Sequence, residues 1–171
     1  MEKSKLVCKL LAYILCITGV LYAAVTSYGA LCIITGWNIV PYGEAKYLHI
    51  NYPFTNQPFL NVDNNTSYIL FSFLIPLALY TLFFLLASKV FKVFYQPRLF
   101  TQNNLKHLKK FYLLNLVIPL PVVIISSFFT EVESAIWLLV VVHFILGVFT
   151  FLTSLIFQQG LNLQHEQDLF V

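Results

Sequence analysis

The chain has 171 residues, of which 59% are hydrophobic and only 10% charged, whereas a soluble domain has roughly 45–50% apolar and about 25% charged residues. That balance points to a membrane protein rather than a soluble globular domain. The formal charge of +3 carries no nucleic-acid signal, so no direct contact with nucleic acid is expected.

A bilayer core of about 30 Å takes roughly 20 apolar residues per helix. Four stretches are long enough, at about 10–36, 68–88, 111–130 and 134–157. None holds Asp, Glu, Lys or Arg away from its ends, where each would cost about 2.5–3.5 kcal/mol at the helix centre. The expected fold is therefore an all-α integral membrane domain, residues 1–171, with four transmembrane helices. These leave an outer loop at 37–67, a middle loop at 89–110 and a tail at 158–171.

The first apolar run follows Lys3, Lys5 and Lys9. It is too long for the core of a cleaved signal, about 7–15 residues, and is read as a retained span. Cys8, Cys16 and Cys32 all lie on this run or its edge, which gives neither a disulfide framework nor a metal-ligand spacing. Gly19, Ala23 and Ser27 recur at intervals of four and predict a small-residue face for close helix packing, with self-association as the alternative. Loop 37–67 opens on Trp37, a residue of the membrane-interface belt. Its alternating run Tyr47-Leu48-His49-Ile50-Asn51-Tyr52 predicts a short strand pair capping the bundle. Glu44, His49 and Asp63 in this loop match no metal-site spacing, and no cofactor is expected.

Pro76 in the second run and Pro119 and Pro121 in the third are expected to kink their helices near mid-membrane. Between these runs, Thr101 is an N-cap, Asn104 stands in for the capping-box acid, and Phe100 and Leu105 hold the staple positions. A helix is predicted to start there and feed straight into the third span, with Leu105, Leu108 and Tyr112 on one face and Lys106, Lys109 and Lys110 on the rest. Glu131 and Glu133 precede the fourth span and suit the positive end of its dipole. His143 lies nine residues into that span, about 14 Å along the axis, where an ionisable side chain is a functional candidate. The competing structural role is a neutral imidazole bonded to a hydroxyl of Ser72, Thr81, Ser126 or Ser127.

Nine of the ten basic residues, all but Lys46, fall before the first run or between the second and third. The excess of Lys and Arg on one side assigns both termini and the middle loop to the cytoplasm. Basic residues beside spans also contact anionic lipid, at about 1 kcal/mol each. No Ser-His-Asp set, Gly-rich phosphate loop or CxxC pair occurs, and a non-enzymatic role is expected.

The order aromatic-Thr-x-x-Asn-Leu-x-x-Leu-Lys over Phe100 to Lys109, followed by Phe157-Gln158-Gln159-Gly160, Leu163 and Glu166-Gln167-Asp168-Leu169-Phe170-Val171, resembles a bacterial four-span family, domain of unknown function number twenty-nine seventy-five. The chain departs from that family's pattern where Arg98 and Leu99 separate Pro97 from Phe100, and at Phe170, where Thr is usual. The resemblance implies the bacterial cytoplasmic membrane and, by association alone, a cytoplasmic helix-turn-helix regulator as partner. The candidate partner-binding residues are Phe100, Thr101, Asn104, Leu105, Leu108, Lys109, Gly160, Leu163, Glu166, Asp168 and Leu169.

Gly160 is expected to stop the last helix and let the tail fold back. Glu166, Asp168 and the terminal carboxylate of Val171 would then face Lys89, Lys92, Arg98, Lys106, Lys109 and Lys110, with Leu161, Leu163 and Leu169 supplying burial. Such a latch either finishes the bundle or forms a docking platform. The functional expectation is a membrane sensor or anchor for a regulator. The alternatives are a small transporter or channel subunit lined by Pro76, Pro119, Pro121 and His143, and, lowest, a lipid-acting enzyme.

Overall fold

The computed structural model describes residues 2–168, with His165 and Asp168 given by backbone alone. Leu169 and Val171, which the sequence assigns to the tail, lie outside these residues. Four helices are long and apolar enough to cross a membrane: α1 (Glu2–Thr35), α2 (Thr66–Val93), α3 (Gln102–Ser127) and α4 (Ser134–Asp168). They run alternately up and down. α1 packs on α2, α2 on α3 and α3 on α4, whereas α1 and α4 make at most marginal contact.

Two of these approaches, α1 on α2 and α3 on α4, rest on a missing side chain. A Cβ added at Gly19 of α1 would meet Leu85 at 2.8 Å, and one at Gly147 of α4 would meet Leu116 at 2.7 Å. Near the first of these, Ser88 Oγ donates to the Ala12 carbonyl at 2.7 Å. The face of α1 differs from the expected Gly19, Ala23, Ser27 stripe. Ser27 is exposed, and the buried positions are Ala12, Gly19, Gly29 and Cys32. A strict four-residue interval drifts around a helix of 3.6 residues per turn, so the stripe leaves the interface after two steps.

The loop between α1 and α2 forms a three-stranded antiparallel sheet rather than a strand pair, with β1 (Ile39–Tyr42), β2 (Tyr47–Asn51) and β3 (Pro58–Asp63) in that order. Register runs Ile39↔Ile50 and Tyr42↔Tyr47 on one side of β2 and Leu48↔Val62 on the other. Pro41 and Pro58 hide the outer strands from a sequence reading. Both sit on edge strands, where a missing N–H is tolerated. Cys32, Ile50 and Val62 form the buried core beneath the sheet, joined by Tyr28, Leu60 and Phe73. Tyr28 Oη donates to the Asn51 carbonyl at 2.6 Å, and Asn38 Nδ2 reaches that same carbonyl at 3.0 Å and Tyr28 Oη at 2.8 Å. Asn38 adopts φ 60°, a left-handed conformation asparagine tolerates. His49 stacks on Tyr42 at 3.5 Å between ring centroids and shares a 2.6 Å hydrogen bond with Asn61. Among the described residues no three His, Cys, Asp or Glu side chains converge as a metal site.

The prolines shape α2 and α3. A widened π turn at Ile69–Leu74 immediately precedes Pro76, where it relieves the clash of a proline ring with the preceding turn. In α3 the helix breaks at Ile118, between Gln102–Val117 and Pro119–Ser127. Pro119 and Pro121 have no N–H to give to the carbonyls of Asn115 and Val117.

Candidate functional site

At the end opposite the sheet, the middle loop and the last turns of α4 meet. Val93, Leu105, Leu108 and Phe157 form a buried cluster, with Val90, Phe94 and Phe100 packed against it. The start of α3 follows the sequence rules at Thr101, Phe100 and Leu105, whereas Asn104 does not serve as a capping-box residue, because the Thr101 N–H bonds to the Leu99 carbonyl instead. Thr101, extended at φ −133°, accepts a hydrogen bond from the Asn104 N–H through its side chain at 3.2 Å. Phe100 and Leu105 both join the same cluster, as a hydrophobic staple requires. Asn104 is fully buried, and its Nδ2 donates to the carbonyls of Arg98 and Leu99 at 3.1 and 2.9 Å. It clamps the loop to the helix it starts. Its Oδ1 is buried with no hydrogen-bond partner among the described residues.

Gly160 does not end the helix. α4 runs through it to Asp168 as one 35-residue helix, and Gly160 lacks the positive φ that a glycine helix stop adopts. The glycine instead admits Phe100. A Cβ at position 160 would lie 2.7 Å from Phe100 Cδ1 and Cε1 and 2.8 Å from Cγ. Phe100 also meets Phe157 edge to face, with centroids 5.3 Å apart. Helix formers follow the glycine, and its cost in a helix, about 1 kcal/mol, is offset by this seat.

The fold-back latch is thereby corrected. Leu161 is buried, but Leu163 is 60% exposed and Glu166 is exposed. Glu166 lies six residues beyond Gly160, about 9 Å farther along the axis, and is not folded over the basic loop. Asp168 continues the same helix. The candidate residues therefore divide. Leu105, Leu108 and Asn104 are buried in the interior, and Thr101, part-buried, is a cap. Phe100 and Gly160 are spent on each other. Lys109, Leu163 and Glu166 remain on the surface, together with Lys106 and Lys110. His107 has Lys89, Lys92 and Lys110 as its charged neighbours, which gathers the ends of α2 and α3 into one basic patch.

Deeper in the bundle, His143 is not bonded to Ser72, Thr81, Ser126 or Ser127. Its Nδ1 lies 2.7 Å from Asn115 Oδ1. Three of these four hydroxyls are used elsewhere: Ser72 Oγ donates to Thr130 Oγ1, Thr81 Oγ1 to the Leu77 carbonyl and Ser127 Oγ to the Ile124 carbonyl. Asn115 is buried and also donates from Nδ2 to the Phe111 carbonyl at 2.8 Å. Sequence reasoning that weighed charged groups and hydroxyls inside the spans passed over this amide. Its signal is its place on the buried face of α3 with Asn104, Leu108 and Phe111, at steps of four, three and four.

His143 lines a pocket of about 120 Å³ between α2, α3 and α4. Pro76 and Pro119 also line it, but Pro121 does not. Three of the four residues expected along a transport path thus converge. Its walls are otherwise apolar, with Tyr80 and Phe83 beside the imidazole at centroid distances of 6.1 and 5.1 Å.

No known protein family, curated protein or solved structure matches the chain.

Proposed function

We propose that this chain is a non-enzymatic four-span protein of the bacterial cytoplasmic membrane, with both termini in the cytoplasm. Its basic end holds a cytoplasmic helix-turn-helix regulator and modulates it. The observation that carries this proposal is the unbroken course of α4 past Gly160. Its 35 residues extend about 52 Å at 1.5 Å per residue, against a hydrocarbon core of about 30 Å. The last two turns therefore stand clear as a polar helix with Leu163 on its surface, beside the cluster of Lys89, Lys92, Lys106, Lys109 and Lys110. Nine of the ten basic residues at this end support its cytoplasmic orientation. The resemblance to domain of unknown function number twenty-nine seventy-five supports the class of partner. Lys109, Leu163, Glu166 and Asp168 are the contact residues, and Phe100, Thr101, Asn104 and Gly160 build the platform under them.

The experiment is deletion of residues 161–171 with paired readouts. A docking helix loses co-purification of the regulator while the remaining protein keeps most of its thermal stability, less the burial of Leu161. Loss of folding with the deletion, or undiminished co-purification, would contradict the assignment.

The convergence of Pro76, Pro119 and His143 on one pocket favours a second function, a small transporter or channel subunit. Liposome flux that disappears with His143→Ala would establish it over the first.

A further inference from the structure

The pair formed by Asn115 and His143 fixes a tautomer. Asn115 turns its amide nitrogen to the Phe111 carbonyl at 2.8 Å, and only an N–H₂ group can donate there. The atom facing His143 Nδ1 at 2.7 Å is therefore the amide oxygen, an acceptor, so Nδ1 carries the proton. A neutral imidazole has one N–H and one bare nitrogen. Nε2 is thus an acceptor, and no protein group among the described residues donates to it.

That acceptor belongs to a residue lining a pocket whose other walls are apolar or aromatic, including Pro76, Tyr80, Phe83, Pro119 and Val140. The volume, about 120 Å³, is that of a single six-membered ring; an apolar cavity of about 150 Å³ takes up benzene. Asp, Glu, Lys and Arg are all absent from the lining, so a charged ligand would enter without a counter-ion at a large desolvation cost. A ring without a donor would fill the space but leave the imidazole nitrogen without a bond.

We infer that this pocket is a binding site for an uncharged, phenol-sized ring carrying one hydroxyl, with the hydroxyl donating to His143 Nε2 and the ring lying against Tyr80 and Phe83. Asn115 is a positioning residue, which sets the tautomer without touching the ligand. The shared chemistry has two sources, a free phenol or the phenolic head of a lipid-dissolved molecule with an alkyl tail. The site stands independently of the regulator-docking proposal.

The test uses the full chain in nanodiscs, with histidine labelled by nitrogen-15, titrated with phenol and with anisole, its methyl ether. The His143 signals are those lost in His143→Phe or, should that variant not fold, those that persist in H49Q/H107Q/H165Q. In the free protein the site requires the Nδ1–H tautomer. Phenol then shifts the Nε2 resonance saturably and binds about tenfold tighter than anisole, the factor expected for one hydrogen bond. An alkylphenol binding tighter than phenol marks the source as a membrane-dissolved molecule, and one binding more weakly marks it as the free phenol. An Nε2–H tautomer, equal binding of phenol and anisole, or no saturable shift would each overturn the assignment.

Discussion

Gly160→Ala separates a glycine kept for space from one kept to end a helix. The new methyl carbon would sit 2.7–2.8 Å from three atoms of the Phe100 ring, where carbon atoms prefer about 3.5–4.0 Å. The ring must retreat by about 1 Å. It is held by Phe157 and by the cluster of Val93, Leu105 and Leu108, so the overpacking costs about 1–3 kcal/mol. Against this, alanine gains about 0.8–1.0 kcal/mol over glycine inside a helix. The net effect is destabilisation of roughly 0–2 kcal/mol, and each 1 kcal/mol is about 2–4 °C in a chain of this size. In a Phe100→Ala background the clash is gone, and the same substitution stabilises by about 1 kcal/mol. The double-mutant cycle, read by thermal unfolding in detergent with circular dichroism, should show a coupling of at least about 1 kcal/mol with a change of sign. A helix-stop glycine would give destabilisation in both backgrounds, and stabilisation in both would equally refute the seat.

Other outcomes follow from single contacts. Asn115→Ala removes the bonds to the Phe111 carbonyl and to His143 and should cost about 1–3 kcal/mol. Its combination with His143→Phe should cost clearly less than the sum of the two, measured by the same unfolding assay. Thr101→Ala deletes the cap of α3 and should lower stability by about 1 kcal/mol, with Thr101→Ser close to wild type. Tyr28→Phe strips the hydroxyl that joins α1 to the Asn51 carbonyl and to Asn38. Hydrogen exchange should rise across residues 39–63 and stay unchanged in residues 100–108, and a uniform rise would show that the sheet is not a separately anchored cap.

The four helices were readable because lipid demands about 20 apolar residues in a row; 68–88 and 134–157 lie within helices that run farther, whereas 10–36 and 111–130 overrun helix ends at Thr35 and Ser127. The start of α3 was readable at Thr101 and Leu105, which follow local capping and staple rules that need no tertiary information, but not at Asn104, whose Oδ1 takes no bond from the cap while its Nδ2 holds the Arg98 and Leu99 carbonyls. Gly160 misled because glycine is used both to end helices and to admit a neighbour, and only the position of Phe100 decides between them. The sheet was half visible. Its centre strand alternates, but Pro41 and Pro58 disguise strands whose outer edges pair with no other strand among the described residues. Asn115 escaped notice because its importance lies in a partner 28 residues away, which no local pattern carries. Burial separates the proposed partner-binding residues into core and surface. Leu105 and Leu108 are apolar at helical spacing because they are core, while Lys109, Leu163 and Glu166 keep the surface positions a partner would need.

We propose above that the last turns of α4 stand in the cytoplasm as a docking helix. Its most direct test is a photo-crosslinking amino acid placed at Leu163 in growing cells. One discrete adduct is expected from Leu163, to a cytoplasmic protein with a helix-turn-helix DNA-binding domain; a crosslinker at Lys109 gives the same adduct and loses it when residues 161–171 are deleted. No adduct from Leu163, or adducts to lipid and membrane proteins alone, would contradict it.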